Sequence, residues 1–196
     1  MSRCTRALAA AVMGSLLLGL TGCTGLFPTH PPTPSSGGNV QAIDNYWVAM
    51  GLAQQAQDIL GGDWEHQDTG AEQCQLASGE VGARVSLLRL NDAGIPVDQQ
   101  QAAIDRIAGH WRAVGLDPVR SSRPGIKDVT TLLLTYPASG VTEDGFYIEV
   151  GTSTVGSTID VRSSCGAGDA DKLNENPAWR TESPSPRPSP APGDDT

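Results

Sequence analysis

The chain has 196 residues, of which 13 are lysine or arginine and 22 are aspartate or glutamate, so its formal net charge is −9. Such an acidic chain disfavours nucleic acid and anionic lipid headgroups as partners, because both require clustered basic side chains. Its length, once the low-complexity ends are set aside, is that of one domain with a single core.

The N-terminus has the most specific motif in the sequence. Arg3 and Arg6 precede a mainly apolar stretch over residues 7–20, which is the layout of a bacterial signal peptide. The sequence LTGC at residues 20–23 resembles the lipobox of bacterial lipoproteins. The apolar stretch is shorter than the roughly 20 residues that a membrane-spanning helix needs. The alternative is an ordinary secretory signal in which Cys23 is incidental.

The resemblance to a lipobox implies diacylation of the Cys23 thiol, cleavage before Cys23, and usually a further acyl chain on the new N-terminus, with palmitate as a typical fatty acid. We therefore expect a lipid anchor in the cell membrane, with the protein on the extracytoplasmic face. Each buried methylene contributes about 0.8 kcal/mol, so one acyl chain binds marginally and two or three hold firmly. Without Arg3 and Arg6 the chain keeps 11 basic residues against 22 acidic ones, a net charge of −11.

Composition divides the chain into four segments. Residues 1–22 are the predicted lipoprotein signal peptide, and residues 23–39 combine the lipidated cysteine with a Pro/Ser/Gly-rich tether. Residues 40–182 are predicted to form a single globular domain. Residues 183–196 are rich in proline and serine and are predicted to be a disordered tail.

The cysteines restrict the covalent structure of the domain. Cys4 belongs to the signal peptide and Cys23 to the anchor, which leaves Cys74 and Cys165 as a pair. Outside the cytoplasm such a pair is normally oxidised, so we predict a structural disulfide that closes a loop of 92 residues. Two free thiols or a redox pair are the alternatives, although a redox pair usually has Cys-x-x-Cys spacing.

Two helices are predicted from apolar periodicity. The first covers residues 43–60, with Asn39 placed to cap it and Gly61-Gly62 to end it. The second begins at Asp98, which forms a capping-box pattern with Gln101, and Gly115 is placed to end it. The apolar positions are Ile43, Tyr46, Trp47, Met50, Ala53, Ile59 and Leu60 in the first helix, and Ile104, Ile107, Trp111 and Val114 in the second.

Short strand-like segments, separated by turn residues, occur both before and after the second helix in the sequence. Two of them precede this helix and the others follow it, and short connections between successive strands favour antiparallel pairing. The order predicts an α+β domain, with an antiparallel sheet of about five or six strands and two helices packed on one face. The segments are residues 71–78, 83–90, 117–121, 128–136, 145–151 and 157–164.

No arrangement of residues in the sequence predicts catalysis. His66 follows Asp63 and Glu65, a combination typical of exposed loops, and His110 lies beside the apolar stripe of the second helix. The segment 169–175 has the acidic spacing of a calcium loop, but it lacks the oxygen ligand and the glycine required at the fifth and sixth positions. We therefore predict a protein that is not an enzyme, with no catalytic residue, no metal site and no cofactor.

Two tryptophans are candidates for a binding surface. Trp64 and Trp179 lie outside the strong periodic patterns, whereas Trp47 and Trp111 fall within the predicted helices. Exposed aromatic residues often contact partners, so Trp64 and Trp179 are a possible binding surface. The alternative is that both side chains cover the open edges of a small core.

The sequence resembles the small actinobacterial lipoproteins of the LppA-like kind over most of residues 20–166. That group has no established activity, so the resemblance implies an envelope lipoprotein and transfers no catalytic residue. The shared features are the lipobox at 20–23, Tyr46-Trp47, Gly62-Asp63-Trp64, the lone Cys74, Trp111, and a terminal strand that ends at Cys165.

Three functions fit these observations. The leading hypothesis is a lipid-anchored, non-enzymatic binding or interaction module whose partner is an envelope protein, a wall polymer or a small ligand. The second is a carrier of lipid or another small ligand, which needs an apolar cavity between helices and sheet. The third is an envelope hydrolase, which needs His66 or His110 within hydrogen-bond reach of a serine and an acid.

The lipid anchor gives the first testable prediction. Replacing Cys23 by serine removes the thiol that is acylated, so we expect Cys23→Ser to move the protein from the membrane fraction to the soluble fraction. Intact-mass analysis should show acyl groups on the wild-type chain and none on the variant. Cys4→Ser is the control and should leave the membrane fraction unchanged. A wild-type protein without acyl mass, or one cleaved elsewhere, would contradict the prediction.

Overall fold

The structure is a computed structural model that describes residues 41–125 and 129–181. The predicted signal peptide, Cys23, the tether and the tail lie outside the described residues, so these predictions stay untested. The elements in chain order are α1 (Ala42–Leu60), β1 (Glu65–His66), β2 (Ala71–Gln75), β3 (Val81–Asn91), α2 (Val97–Ala113), β4 (Val119–Pro124), β5 (Thr130–Tyr136), β6 (Tyr147–Thr152), β7 (Ser157–Arg162), α3 (Ala170–Glu175) and a 3-10 helix (Pro177–Arg180).

Helix α1 forms where the period of apolar residues predicts it. Of the apolar positions predicted for this helix, Tyr46 and Ala53 are buried, whereas the others are only partly buried. The buried face is instead built largely of alanines, with Ala49, Ala53 and Ala56 all 0 % exposed, so the helix backbone lies close to the sheet. Gly61 ends the helix with a φ of 71° and donates its N–H to the carbonyl of Gln57. This positive φ is the conformation that glycine adopts at helix ends.

Helix α2 has the predicted buried stripe but a different start. Its N-cap is Pro96, whose carbonyl accepts from the N–H groups of Gln99 and Gln100. The predicted capping box of Asp98 is therefore wrong, because the fixed φ of proline already suits a helix start. Asp98 lies in the first turn, where a carboxylate still interacts favourably with the helix dipole.

The predicted fold class is confirmed. The described strands form one seven-stranded antiparallel sheet in the order β1-β3-β7-β6-β5-β4, with β2 also paired to β3. Helices α1 and α2 pack on the same face of this sheet, and α3 joins the core on that side too. The short β1, the third helix and the 3-10 helix were not predicted. Among the described residues, no helix combines the length and the apolar composition that crossing a bilayer requires.

Side chains along each strand point alternately to the two faces of the sheet, and this alternation determines which residues pack against the helices. In β3, β6 and β7 every second side chain is buried against α1 and α2, and the intervening ones face away from them. The largest fully buried side chains are Trp111, Arg89, Tyr46, Phe146, Leu87, Ile104, Ile107, Leu134, Ile148, Ile159, Val85 and Val150.

The predicted disulfide is confirmed. Cys74 of β2 is bonded to Cys165, which follows β7, with the two Cα atoms 6.0 Å apart. Gly82, the partner of Cys74 in β3, leaves room for this crossing: a Cβ there would lie 2.5 Å from the carbonyl oxygen of Gly166 and 3.1 Å from Sγ of Cys165. The bridge therefore joins β2 to the segment that follows β7 at a point where the backbones are in close contact.

The length of the closed loop predicts the effect of removing this bridge. For a sequence separation of 91, the chain-entropy model gives roughly 4.6 kcal/mol, and measured losses are usually about 2–5 kcal/mol. We expect the double variant Cys74→Ala/Cys165→Ala to lose about 3 kcal/mol in the free energy of unfolding, measured by urea titration. Reductant should destabilise the wild type similarly and leave the variant unaffected. A wild type insensitive to reductant would contradict this.

Candidate functional site

The candidate site is the face of the sheet that is turned away from the helices, which we call the open face. The register gives its central row: Leu88 of β3 is opposite Asp160 of β7, and Asp160 is opposite Glu149 of β6. The open face is formed by Ser86, Leu88, Leu90, Leu133, Thr135, Tyr147, Glu149, Thr158, Asp160 and Arg162.

Glu149 is the best-satisfied polar group of the open face. Its carboxylate accepts hydrogen bonds from the hydroxyl of Thr135 at 3.2 Å and that of Tyr147 at 3.1 Å, and Nη1 of Arg123 lies 3.6 Å away. Burial, followed by the charge of Glu149 and its hydrogen bond, raises the pKa of Tyr147 to about 12. Tyr147 therefore remains a hydrogen-bond donor throughout the physiological pH range.

Asp160 lies opposite Glu149 but lacks comparable partners. Within the described residues its carboxylate makes no hydrogen bond and no ion pair within 4 Å. Desolvation raises the pKa of Asp160 above 3.8, the charge of Glu149 raises it further, and Arg162 opposes the change. Asp160 is thus a carboxylate with free acceptor capacity on the open face.

The raised pKa has a definite consequence for stability. The folded protein holds the proton of Asp160 more tightly than the unfolded chain does. The favourable contribution of this group is therefore fully present below about pH 3.8, and it is lost as the pH rises through the higher pKa of the folded state. At neutral pH the ionised Asp160 consequently disfavours folding, and a ligand that donates to it would offset that cost.

A groove of about 430 Å³ lies beside Asp160. Amide and hydroxyl groups, an apolar side chain and the carboxylate of Asp160 line it, a mixture suited to a polar ligand that also has an apolar side. The chain segment on its outer side runs along β3, because Gln67 and Thr69 donate their N–H groups to Leu88 and Ser86. The lining residues are Gln67, Asp68, Thr69, Ser86, Leu87, Leu88 and Asp160.

A buried ion pair supports the wall of this groove. Arg89 is 0 % exposed on the helix side of β3 and donates to both carboxylate oxygens of Asp68, the second at 3.1 Å. The same guanidinium donates to the carbonyl of Leu88 at 3.1 Å and contacts the sulfur of Met50 at 3.6 Å. One feature of the sequence indicated that Arg89 is buried. In a strand it lies on the same face as Val85 and Leu87, which are both buried.

The two tryptophans proposed as a binding surface occupy different environments. Trp179 is only 8 % exposed, donates its indole N–H to the carbonyl of Leu173 at 2.7 Å, and packs edge-on against Tyr46 with ring centroids 4.8 Å apart. The idea that Trp179 is an exposed contact is therefore wrong, because its ring covers the core. Trp64 is half-buried and donates to the carbonyl of Gly61 at 3.0 Å.

The histidines considered for hydrolysis lie apart. His66 is exposed on β1 and His110 is exposed on α2, and within residues 41–125 and 129–181 neither side chain makes a hydrogen bond. In the same ranges no three His, Cys, Asp or Glu side chains are grouped so as to hold a metal. The acidic segment 169–175 forms α3, whose N-cap Asp169 accepts from the N–H of Asp171 at 3.0 Å.

Large side chains of α2 are buried in the layer between the helices and the sheet. Trp111, Ile104 and Ile107 of α2 are at most 1 % exposed and pack against the sheet. The groove beside Asp160 lies on the opposite side of the sheet. A second groove, of about 410 Å³, lies at one end of β3 beside Gly62, Asp63 and Asp92. Neither groove is the cavity between helices and sheet that the carrier hypothesis requires.

Comparison with known proteins adds one similar structure. No protein-family model matches the chain, and no curated protein matches its sequence. Among solved structures, the chain is similar to a crystal structure, at 2.65 Å resolution, of a DUF4853 family protein from Actinomyces odontolyticus. The TM-score is 0.37 and the identity 13 %, and the similarity covers 62 % of this chain and 69 % of that chain.

The Asp68–Arg89 pair yields a testable prediction. Breaking a buried ion pair costs about 3–5 kcal/mol because one charge stays buried and unpaired. The side chain of Asp68 is 18 % exposed, so we expect Asp68→Asn to lower the free energy of unfolding by about 3 kcal/mol, the low end of that range. Adding Arg89→Met should recover most of the loss, since an apolar replacement removes the unpaired charge.

Urea titration of the wild type, the single variant and the double variant tests this coupling. The matched control is Glu72→Gln, which removes the surface pair between Glu72 and Arg84, 3.6 Å apart. It should change stability by less than about 1 kcal/mol. If the double variant is no more stable than Asp68→Asn, the loss of stability does not come from an unpaired buried charge on Arg89, and the prediction is wrong.

Proposed function

We propose that this protein is a lipid-anchored, extracytoplasmic and non-enzymatic binding module, and that the open face binds a hydroxyl-rich polymer of the cell wall. The observation that carries the proposal is the one-sided packing of the sheet. Because the helices of the described domain all pack on the other side, the open face keeps its polar groups and its groove accessible to a ligand.

The extracytoplasmic address is supported by two independent features. The lipobox resemblance at 20–23 and the resemblance to LppA-like lipoproteins favour an acylated Cys23. The disulfide between Cys74 and Cys165 favours an oxidising compartment, because such bonds are rare where thiols are kept reduced. Together they favour a domain held outside the cytoplasm by a tether of Pro-rich sequence.

The chemistry of the groove favours a ligand that donates hydrogen bonds. Asp160 offers an acceptor with no partner of its own among the described residues, and Thr69 and Ser86 place polar groups nearby. Leu88 adds an apolar surface of the kind that the carbon-rich face of a sugar covers. A polysaccharide segment has both properties.

Binding to cell walls tests this function. We expect the purified protein to co-sediment with insoluble walls from the host cell, and Asp160→Asn to weaken that binding about ten-fold, since a hydrogen bond to a charged group contributes about 1.5–3 kcal/mol. As the pH falls through the raised pKa of Asp160, wild-type binding should weaken while the variant stays constant. Asp117→Asn, which changes a carboxylate 97 % exposed after α2, is the matched control.

Photo-crosslinking in intact cells identifies the class of ligand. A crosslinking residue at Thr69, beside the groove, should capture wall polymer, and one at Gln99, exposed on α2, should not. If the crosslinking residue at Thr69 captures a protein instead, the ligand of the groove is an envelope protein and not a wall polymer. Equal sedimentation of the Asp160→Asn variant and the wild type would overturn the role of the open face.

A further inference from the structure

The two lateral edges of the sheet differ in how their outward backbone groups are hydrogen-bonded. At the edge of β2, the side-chain amide of Asn174 accepts the N–H of Ala71 at 2.9 Å and donates to its carbonyl at 2.9 Å. Asn174 of α3 therefore satisfies the outward N–H and carbonyl of Ala71, at one end of β2. Covering part of a sheet edge in this way reduces uncontrolled pairing with other chains.

The opposite edge, β4, has no such cover within the described residues. All six of its residues are exposed, and it pairs with β5 on one side only. The bond from the N–H of Gly125 to the carbonyl of Val129, at 2.6 Å, sets the phase of this ladder. Because bonded and non-bonded pairs alternate along an antiparallel ladder, the backbone groups of Val119, Ser121 and Arg123 face β5.

The free edge of β4 consequently exposes the backbone of the intervening residues. Arg120 and Ser122 each present an N–H and a carbonyl to the outside, and Pro124 presents a carbonyl alone. Proline is tolerated where its missing N–H would point away from the sheet. The edge therefore offers two donors and three acceptors in the spacing of a strand.

The side chains of β4 include two arginines, each paired with a carboxylate of a neighbouring element. Residues 119–125 contain two arginines and no acid, in a chain of net charge −9. Arg120 lies 2.6 Å from Asp105 of α2 and is 41 % exposed, and Arg123 lies 3.6 Å from Glu149 on the open face and is 57 % exposed. The two guanidinium groups are three residues apart and therefore lie on opposite faces of the sheet.

We propose that the free edge of β4 binds an extended, acidic segment of a partner protein as an added strand. Such a strand would receive main-chain hydrogen bonds from Arg120 and Ser122. Acidic side chains three residues apart on that segment would reach Arg120 on one face and Arg123 on the other. The terminal segments of this chain do not fit, because their frequent prolines lack the N–H that strand pairing needs.

The test uses detergent-solubilised full-length protein and a fluorescent peptide of sequence TEVTEVT, whose two glutamates are three residues apart. We expect saturable binding by fluorescence anisotropy, weakened about ten-fold by Ser122→Pro, because the variant loses the central outward N–H and leaves a peptide carbonyl unpaired. Ser122→Ala keeps that N–H and is the matched control. The peptide TKVTKVT should bind at least about ten-fold more weakly because its charges repel both arginines.

Amide exchange followed by NMR locates the added strand. On addition of the acidic peptide, exchange of the N–H groups of Arg120 and Ser122 should slow, while those of Ser121 and Arg123, already bonded to β5, should not change. Unchanged melting of Ser122→Pro shows that the variant is folded. Equal binding by Ser122→Pro and Ser122→Ala, no binding of the acidic peptide, or dimerisation through β4 instead would each overturn the proposal.

Discussion

The contact between α1 and the sheet is the one on which the rest of the structure depends. Its alanine face lets the helix backbone approach β3 and β7, and Asn45 donates its amide to the carbonyls of Ser164 and Cys165 at 3.2 and 3.3 Å. Gly166 is required there, since a Cβ would lie 2.6 Å from the backbone nitrogen of Ala42. The start of the domain is thus held against the segment after its last strand.

This close approach also explains the buried charge. A helix at short distance covers Arg89 completely, and a buried guanidinium requires a carboxylate partner. Asp68 supplies it from the segment between β1 and β2, which therefore lies alongside β3 and forms the outer wall of the groove. The shape of the open face near Asp160 therefore depends on the pairing of Arg89 with Asp68, since Arg89 is buried on the helix side of the sheet.

Periodicity in the sequence was sufficient for the fold class and for both long helices, because burial of one face dominates their formation. The disulfide between Cys74 and Cys165 was predicted differently, by counting the cysteines that remain for the domain and by assuming an oxidising compartment. The Asp68–Arg89 pair and the bonds between Asn174 and Ala71 of β2 were not predictable in this way. Each joins residues distant in the sequence, and its geometry exists only after the sheet has formed.

The misjudged positions have local physical causes. Trp179 lies in a short 3-10 helix without periodicity, so nothing in its neighbourhood indicated that its ring packs against Tyr46 of α1. Asp98 has the spacing of a capping box, but Pro96 two residues earlier already supplies the helix start. The position of Trp179 was thus determined by a tertiary contact, and the start of α2 by a backbone constraint at Pro96.

Arg123 links the two surfaces for which binding is proposed. It belongs to the free edge of β4, yet its guanidinium lies 3.6 Å from Glu149 at the centre of the open face. An acidic strand that drew Arg123 away would leave Glu149 with only its bonds from Thr135 and Tyr147. The charge of Glu149, then less compensated, would act on Asp160 across the ladder and raise its pKa further. The two sites would therefore be coupled through one side chain.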